Sequence, residues 1–148
     1  MISKSCKYAI RAAVFIASQA GKNRKPGVKE IAEEIEAPAA FTAKILQILN
    51  KHKIVTSLKG PYGGFFCETY QLDLPVIEIV NVIDGTAVFK ECVMGLHLCS
   101  DAHPCPMHYQ YAEIRNNLLH SFQQTTLGAL ATDLSDGNVY LKNNPMGI

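Results

Sequence analysis

The chain has 148 residues, 48% of them apolar and 18% charged, with a formal net charge of +1. That apolar fraction supports a folded core and excludes general disorder, and no apolar run reaches the ~18 residues of a membrane span. Residues 1–7 lack the apolar stretch and cleavage site of a secretory signal, so the expectation is a soluble, cytoplasmic chain: one small domain with an oligomerising extension.

Residues 3–20 read as a helix, because Cys6, Ile10, Ala13, Val14 and Ala17 recur at three- and four-residue spacing and Gly21 supplies a stop. A basic loop, residues 22–27, leads to a short second helix marked by Val28, Ile31, Ala32 and Ile35. Pro38 is placed to open a third helix, where its missing N–H costs nothing. That helix covers residues 39–51, with Phe41, Ile45, Ile48 and Leu49 as its inner face. Two short helices joined by a tight turn behind a leading helix make a helix-turn-helix.

Residues 54–58 are rich in β-branched side chains, and residues 65–72 are expected to return as their antiparallel partner. Between them, Lys59-Gly60-Pro61-Tyr62-Gly63-Gly64 is a turn whose glycines let a backbone come close to another surface. A hairpin of this kind directly after a helix-turn-helix reads as a wing, so residues 1–73 are expected to form a winged helix-turn-helix DNA-binding domain.

A helix over residues 76–83 follows, ended by Gly85. Residues 86–106 are a cysteine-rich loop with little regular pattern. A long helix over residues 107–126 carries Tyr111, Ile114, Leu118 and Phe122 along one side. A second copy of the chain is the economical cover for that side, giving a two-fold homodimer. Residues 74–130 are thus expected to be a dimerisation segment with a sensor loop. Residues 131–148 are expected to be a mobile tail, with Asn, Gly and Pro accumulating from Ser135 onward. The fold class is mainly α with a small β-wing: a winged helix-turn-helix plus a long dimerisation helix.

Charge divides the chain in the same way. Residues 1–60 carry eleven basic and four acidic side chains, a net +7, whereas the remainder carries three against nine, a net −6. The near-neutral total therefore hides a basic half suited to a polyanion. Cysteines are uneven too: Cys6 and Cys67 stand alone and read as small core hydrophobes, while Cys92, Cys99 and Cys105 fall in one stretch. An odd cysteine count in an intracellular chain points to metal or redox use of the clustered three rather than to disulfides.

The stretches Lys7-Tyr8-Ala9-Ile10-Arg11-Ala12, Val28-Lys29-Glu30-Ile31-Ala32 and Ser57-Leu58-Lys59-Gly60-Pro61-Tyr62-Gly63-Gly64-Phe65 resemble the Rrf2 family of bacterial winged-helix regulators. The residue 76–85 helix, the cysteine triplet and Thr126-Leu127 extend the likeness from residue 3 to about residue 130. The resemblance, which takes in the IscR-like and NsrR-like branches, implies a dimeric transcription factor; an enzyme is not expected, because the sequence has no C-x-x-C, no phosphate-cradling Gly loop before a helix and no serine elbow. In such a protein the second helix of the motif enters the major groove. The positions offered here are Ala39, Ala40, Thr42 and Lys44, an apolar set in which alanines can meet thymine methyls. Lys4, Lys7, Arg11, Lys29, Lys51 and Lys53 are phosphate-contact candidates. Lys59, with Gly60, Pro61, Tyr62 and Gly63, forms a minor-groove wing in which lysine stands where relatives usually carry arginine. A two-fold dimer implies an inverted-repeat operator in double-stranded DNA, with no membrane partner and no small-molecule substrate.

The same resemblance implies an iron–sulfur cluster held by Cys92, Cys99, Cys105 and His108, His108 following Cys105 by three residues as in the IscR-like branch. A [2Fe–2S] cluster is favoured over [4Fe–4S], with zinc or a metal-free loop as the alternatives. His97 and His103 are expected to face solvent. The expected function is a repressor sensing redox, iron–sulfur status or nitric oxide. The alternative is a zinc-bound or metal-free regulator acting through a protein partner or small ligand.

Overall fold

The computed structural model describes residues 1–143; the last five positions of the expected tail lie outside the described residues. The first helix, α1 (Lys4–Gln19), begins where the Ser3 hydroxyl accepts a hydrogen bond from the Cys6 N–H at 3.0 Å, satisfying one of the orphan donors of the first turn. From Ala12 to Gln19 every residue of α1 is buried. The alanines at 9, 12 and 13 let neighbouring helices approach closely, and α1 becomes the central strut of the molecule.

Helices α2 (Val28–Glu34) and α3 (Ala39–Lys51) pack on α1 and on each other through Ile31, Ile35, Ile45, Leu46 and Leu49. The turn between them places Glu36 in the left-handed region, at φ 54°, a conformation that costs a non-glycine residue strain. The inner face of α3 is Thr42, Ile45, Leu46 and Leu49, which corrects the expected set: Phe41 is half-buried and Ile48 is exposed.

Strands β1 (Thr56–Leu58) and β2 (Gly64–Phe66) form a two-stranded antiparallel sheet, Thr56 opposite Phe66 and Leu58 opposite Gly64. The sheet is shorter than expected at both ends. Ile54 and Val55 are core residues ahead of β1, and Thr69–Leu72 is a helical turn, α4, not strand. Gln71 explains the break. Its buried amide accepts from the Thr56 hydroxyl at 3.0 Å and the Glu68 N–H at 2.8 Å, and donates to the Lys53 carbonyl at 2.9 Å. These bonds close a capping box and tie the start of the wing to its end.

Beyond the wing lie α5 (Ile77–Ile83), a single 3-10 turn at Ala87–Phe89, and the long α6 (His108–Gln124). A backbone bridge pins this excursion at its base: the Val76 N–H donates to the Thr125 carbonyl at 2.8 Å and the Leu127 N–H to the Leu74 carbonyl at 3.0 Å. A small second core of Cys6, Ile77, Val80 and Phe89 fills the space between α5, α1 and the far half of α6.

A final helix, α7 (Leu127–Ser135), was not expected beyond residue 130. Thr126 caps it, its hydroxyl accepting from the Ala129 N–H at 3.1 Å, and Leu127 and Ala131 bury against α1. The chain after α7 is also held, because Arg11 Nε donates to the Leu141 carbonyl at 2.7 Å and Leu141 packs on the core. The described part of the expected mobile tail therefore belongs to the winged-helix body.

Candidate nucleic-acid interface and cysteine loop

The outward face of α3 presents Ala39, Ala40, Lys44, Gln47, Ile48 and Lys51. Thr42 does not belong to it. It is fully buried, and its hydroxyl donates to the Pro38 carbonyl at 3.0 Å; this corrects its expected role in meeting base edges. Gln47, which sequence reasoning missed, lies one turn after Lys44 on the same exposed face, and its amide suits adenine readout. The helical spacing from Lys44 was the available signal.

Tyr8 joins α1 to the start of α3 by an edge-on contact with Phe41, ring centroids 5.7 Å apart. Lys4 and Arg11 both lean on the Tyr8 ring, at 5.8 Å and 5.4 Å. The basic N-terminal half of α1 is thereby brought beside the reading helix, with Lys7 exposed next to it. Arg11 is half-buried and spends one donor on Leu141, so only its remaining N–H groups are free for phosphate. Lys29, Lys44, Lys51, Lys53 and Lys59 are exposed, and among the described residues none of them is held in an ion pair.

At the wing, the Gly63 N–H donates to the Gly60 carbonyl at 3.0 Å, closing a turn that lifts Pro61 and Tyr62 outward. Tyr62 is 91% exposed, and Gly60 adopts φ +105°. The exposed face of α3, the wing and the α1 lysines thus present side chains of the kinds that winged-helix proteins bring to base edges, minor groove and phosphates.

The cysteine loop holds its donors as two neighbouring pairs. Cys92 and Cys105 are both buried and lie beside each other. Cys99 Sγ lies 3.2 Å from His108 Nδ1, and His108 is the one buried residue of α6. Among the described residues no three such side chains close into a ready-made metal site. Backbone N–H groups of Leu96 and Met94, with the Cys105 thiol and Gly95 behind them, hold the Cys92 thiol below its ordinary range. Burial and the neighbouring Cys92 and Cys99 push the Cys105 thiol up. The chemistry of the set fits a thiolate-binding metal group: three thiols on one loop and an imidazole in the first turn of α6, the ligand types that iron–sulfur clusters accept. His97 and His103 are exposed, as expected. Cys6 and Cys67 are separate from this loop, buried in the core, with thiols pushed up to about 12 by burial, Asp84 adding to the effect at Cys6. They behave as core side chains.

Known proteins resemble the chain in sequence and in fold. The family model described as Rrf2, iron-dependent transcriptional regulator, matches residues 2–133. A candidate HTH-type transcriptional regulator of Aquifex aeolicus is 28% identical over 129 residues, 86% of this chain and 88% of that one. The transcriptional regulator IscR of Sodalis glossinidius is 23% identical over 127 residues, covering 86% and 76%. Among solved structures, CymR, the global cysteine regulator of B. subtilis, superposes with a TM-score of 0.72 at 22% identity, over 89% of this chain and 96% of that one. T. potens IscR superposes at 0.71 and 17% identity, over 99% and 95%. These relatives are transcriptional regulators, not enzymes, and the fold they share is the winged helix. No helix of the described residues is long and apolar enough to cross a membrane.

Proposed function

This chain belongs to the Rrf2 family of transcriptional regulators, and from that premise we propose that it is a homodimeric, cytoplasmic repressor whose affinity for an inverted-repeat operator is set by an iron–sulfur cluster on Cys92, Cys99, Cys105 and His108. The observation that supports the reading is that the loop after α5 and the first turn of α6 carry three thiols and one buried imidazole as two neighbouring pairs, Cys92 with Cys105 and Cys99 with His108. A [2Fe–2S] cluster suits three thiolates plus one histidine. When bound, the cluster supplies a ligation that redox change, iron–sulfur status or nitric oxide can make or break.

The chain's own residues carry that change to DNA. The base of the segment is pinned by the Pro75–Thr126 bridge, so loop rearrangement acts chiefly on the inclination of α6. The other end of α5 also touches the DNA side: Asp84 accepts from the Ser3 N–H at 2.7 Å and from the Ser3 hydroxyl at 2.5 Å. Ser3 caps α1, whose next turns hold Lys4, Lys7, Tyr8 and Arg11 beside α3. Loop ligation thus biases both the spacing of two reading heads across the dimer and the seating of the α1 lysines, as two linked conformational states require.

A second reading keeps the winged helix and the dimer but has zinc or no metal in the loop, with control by a protein partner or small ligand. The two-pair arrangement of the donors favours it. An anaerobic absorption spectrum with iron and acid-labile sulfide counts separates the two. The proposed function expects charge-transfer bands in the visible and about two irons and two sulfides per chain. A colourless protein without sulfide, after anaerobic purification and attempted reconstitution, overturns it in favour of the second reading.

A further inference from the structure

His108 is gripped on three sides. Its Nε2 lies 2.6 Å from Asp101 Oδ1, its Nδ1 lies 3.2 Å from Cys99 Sγ, and the Tyr109 ring meets it edge-on at 5.1 Å. The imidazole is 4% exposed and the carboxylate 94% exposed, so Asp101 reaches in from solvent to a buried ring. A short turn aims it: the Ala102 N–H donates to the Ser100 hydroxyl at 3.1 Å, and the His103 N–H to the Ser100 carbonyl at 3.2 Å. Asp101 itself lies between two of the thiols, two residues after Cys99 and four before Cys105.

We propose that Asp101 is a positioning residue that fixes the Nε2–H tautomer of His108 and turns Nδ1 toward the metal-binding thiols. A neutral imidazole has one donor nitrogen and one acceptor nitrogen. With Nε2–H donating to the carboxylate, the lone pair on Nδ1 faces Cys99. A histidine that ligates a metal needs this pairing, lone pair toward the metal and the far N–H tied to an oxygen acceptor, because the second bond fixes both tautomer and ring orientation. Ligation through Nε2 requires the ring to flip and the Asp101 contact to break. The inference rests on the cluster reading for its metal, but the tautomer is a property of the chain alone.

The test uses the full chain as wild type, Asp101→Ala, Asp101→Asn and Asp101→Glu. Nitrogen-15 resonances of histidine-labelled apoprotein, at one fixed pH, report the tautomer. Wild type and Asp101→Glu are expected to show His108 as Nε2–H, and Asp101→Ala a mixture. The same four proteins, reconstituted anaerobically with ferrous iron and sulfide, are then challenged with an iron chelator. Asp101→Ala is expected to lose iron roughly 10–100-fold faster than wild type. Asp101→Asn, whose amide oxygen still accepts the N–H without the charge, falls between them, and Asp101→Glu restores retention. An Nδ1–H tautomer in wild type, or iron loss from Asp101→Ala at the wild-type rate, overturns the inference. Wild type that takes up no iron overturns the cluster reading instead, and the tautomer measurement then decides the role of Asp101 by itself.

Discussion

Changing Ile114 and Leu118 together to aspartate is expected to leave a folded monomer that binds an inverted-repeat duplex on the order of 10²–10⁴-fold more weakly than wild type. The reason lies in the isolation of α6. It is 17 residues long, yet only His108 in it is buried, while Ile114 is 64%, Leu118 36% and Tyr109 70% exposed. Among the described residues it meets its own chain at α5, at the Ala87–Phe89 turn, at the small core around Phe122 and Leu119, and at the cysteine loop through His108. A solitary helix of this length is marginal in water, and in the proposed dimer a second copy across a two-fold axis would supply the missing apolar cover. Aspartates on that face would put charge into the proposed interface twice, because a two-fold axis sets the same patch of each copy against the other. The heads then bind one half-site at a time, and the gain from a tethered second head is lost. Sedimentation velocity and titration against whole and half operators check this together. The variant should bind a half-site as wild type does and lose only its advantage on the full palindrome. A variant that stays dimeric, or that binds the palindrome unchanged, contradicts the proposed interface.

The second large effect is expected at Gly64, where substitution by alanine should destabilise the protein by about 3 kcal/mol and lower its melting temperature by roughly 10 °C. Gly64 opens β2 at φ +154°, a conformation open to glycine and strained for other residues. A Cβ there would sit 2.1 Å from the Lys25 carbonyl oxygen and 2.8 Å from that of Pro26. Both are backbone atoms and cannot swing aside, and the neighbouring Phe65 N–H already donates to the Pro26 carbonyl at 2.9 Å. Relief requires the loop ahead of α2 to leave the wing, which also displaces Lys25 and the entry to the helix-turn-helix. Gly21→Ala is the matched control, because a Cβ at Gly21 meets nothing within 4 Å. Thermal unfolding of the three proteins is the check. Equal midpoints for Gly64→Ala and wild type would show that the wing is not pinned in this way.

The parts of this fold that follow a single period were legible in the sequence. The spacing of Cys6, Ala13 and Ala17 marks α1, and Pro38 together with Ile45 and Leu49 marks α3, because an apolar stripe needs no knowledge of its neighbours. What escaped was polar burial and long-range return. Thr42 looks like a hydrogen-bonding contact until its hydroxyl is seen to serve Pro38, which lets the side chain enter the core. Gln71 breaks an apparent strand because Lys53 and Thr56, 18 and 15 residues earlier, join the nearby Glu68 N–H in satisfying its amide. The α7 pattern of Leu127, Leu130, Ala131 and Leu134 was present, capped by Thr126, but was masked by the polar residues that follow it. In the cysteine loop the residues were legible and their pairing was not. No period encodes which thiol meets His108, or that Asp101 holds the far side of the ring.

In the proposed function, ligation of the cysteine loop changes DNA binding. The direct measurement is a titration of a palindromic operator duplex with one anaerobic preparation, before and after iron is stripped by a chelator, at constant ionic strength because phosphate contacts make affinity salt-dependent. A coupling of typical size changes affinity by about 5–150-fold, and the stripped protein should match the Cys92→Ala, Cys99→Ala, Cys105→Ala triple variant. Equal affinity for all three forms would contradict the proposed coupling and leave a winged-helix regulator whose cysteine loop does not govern its DNA binding.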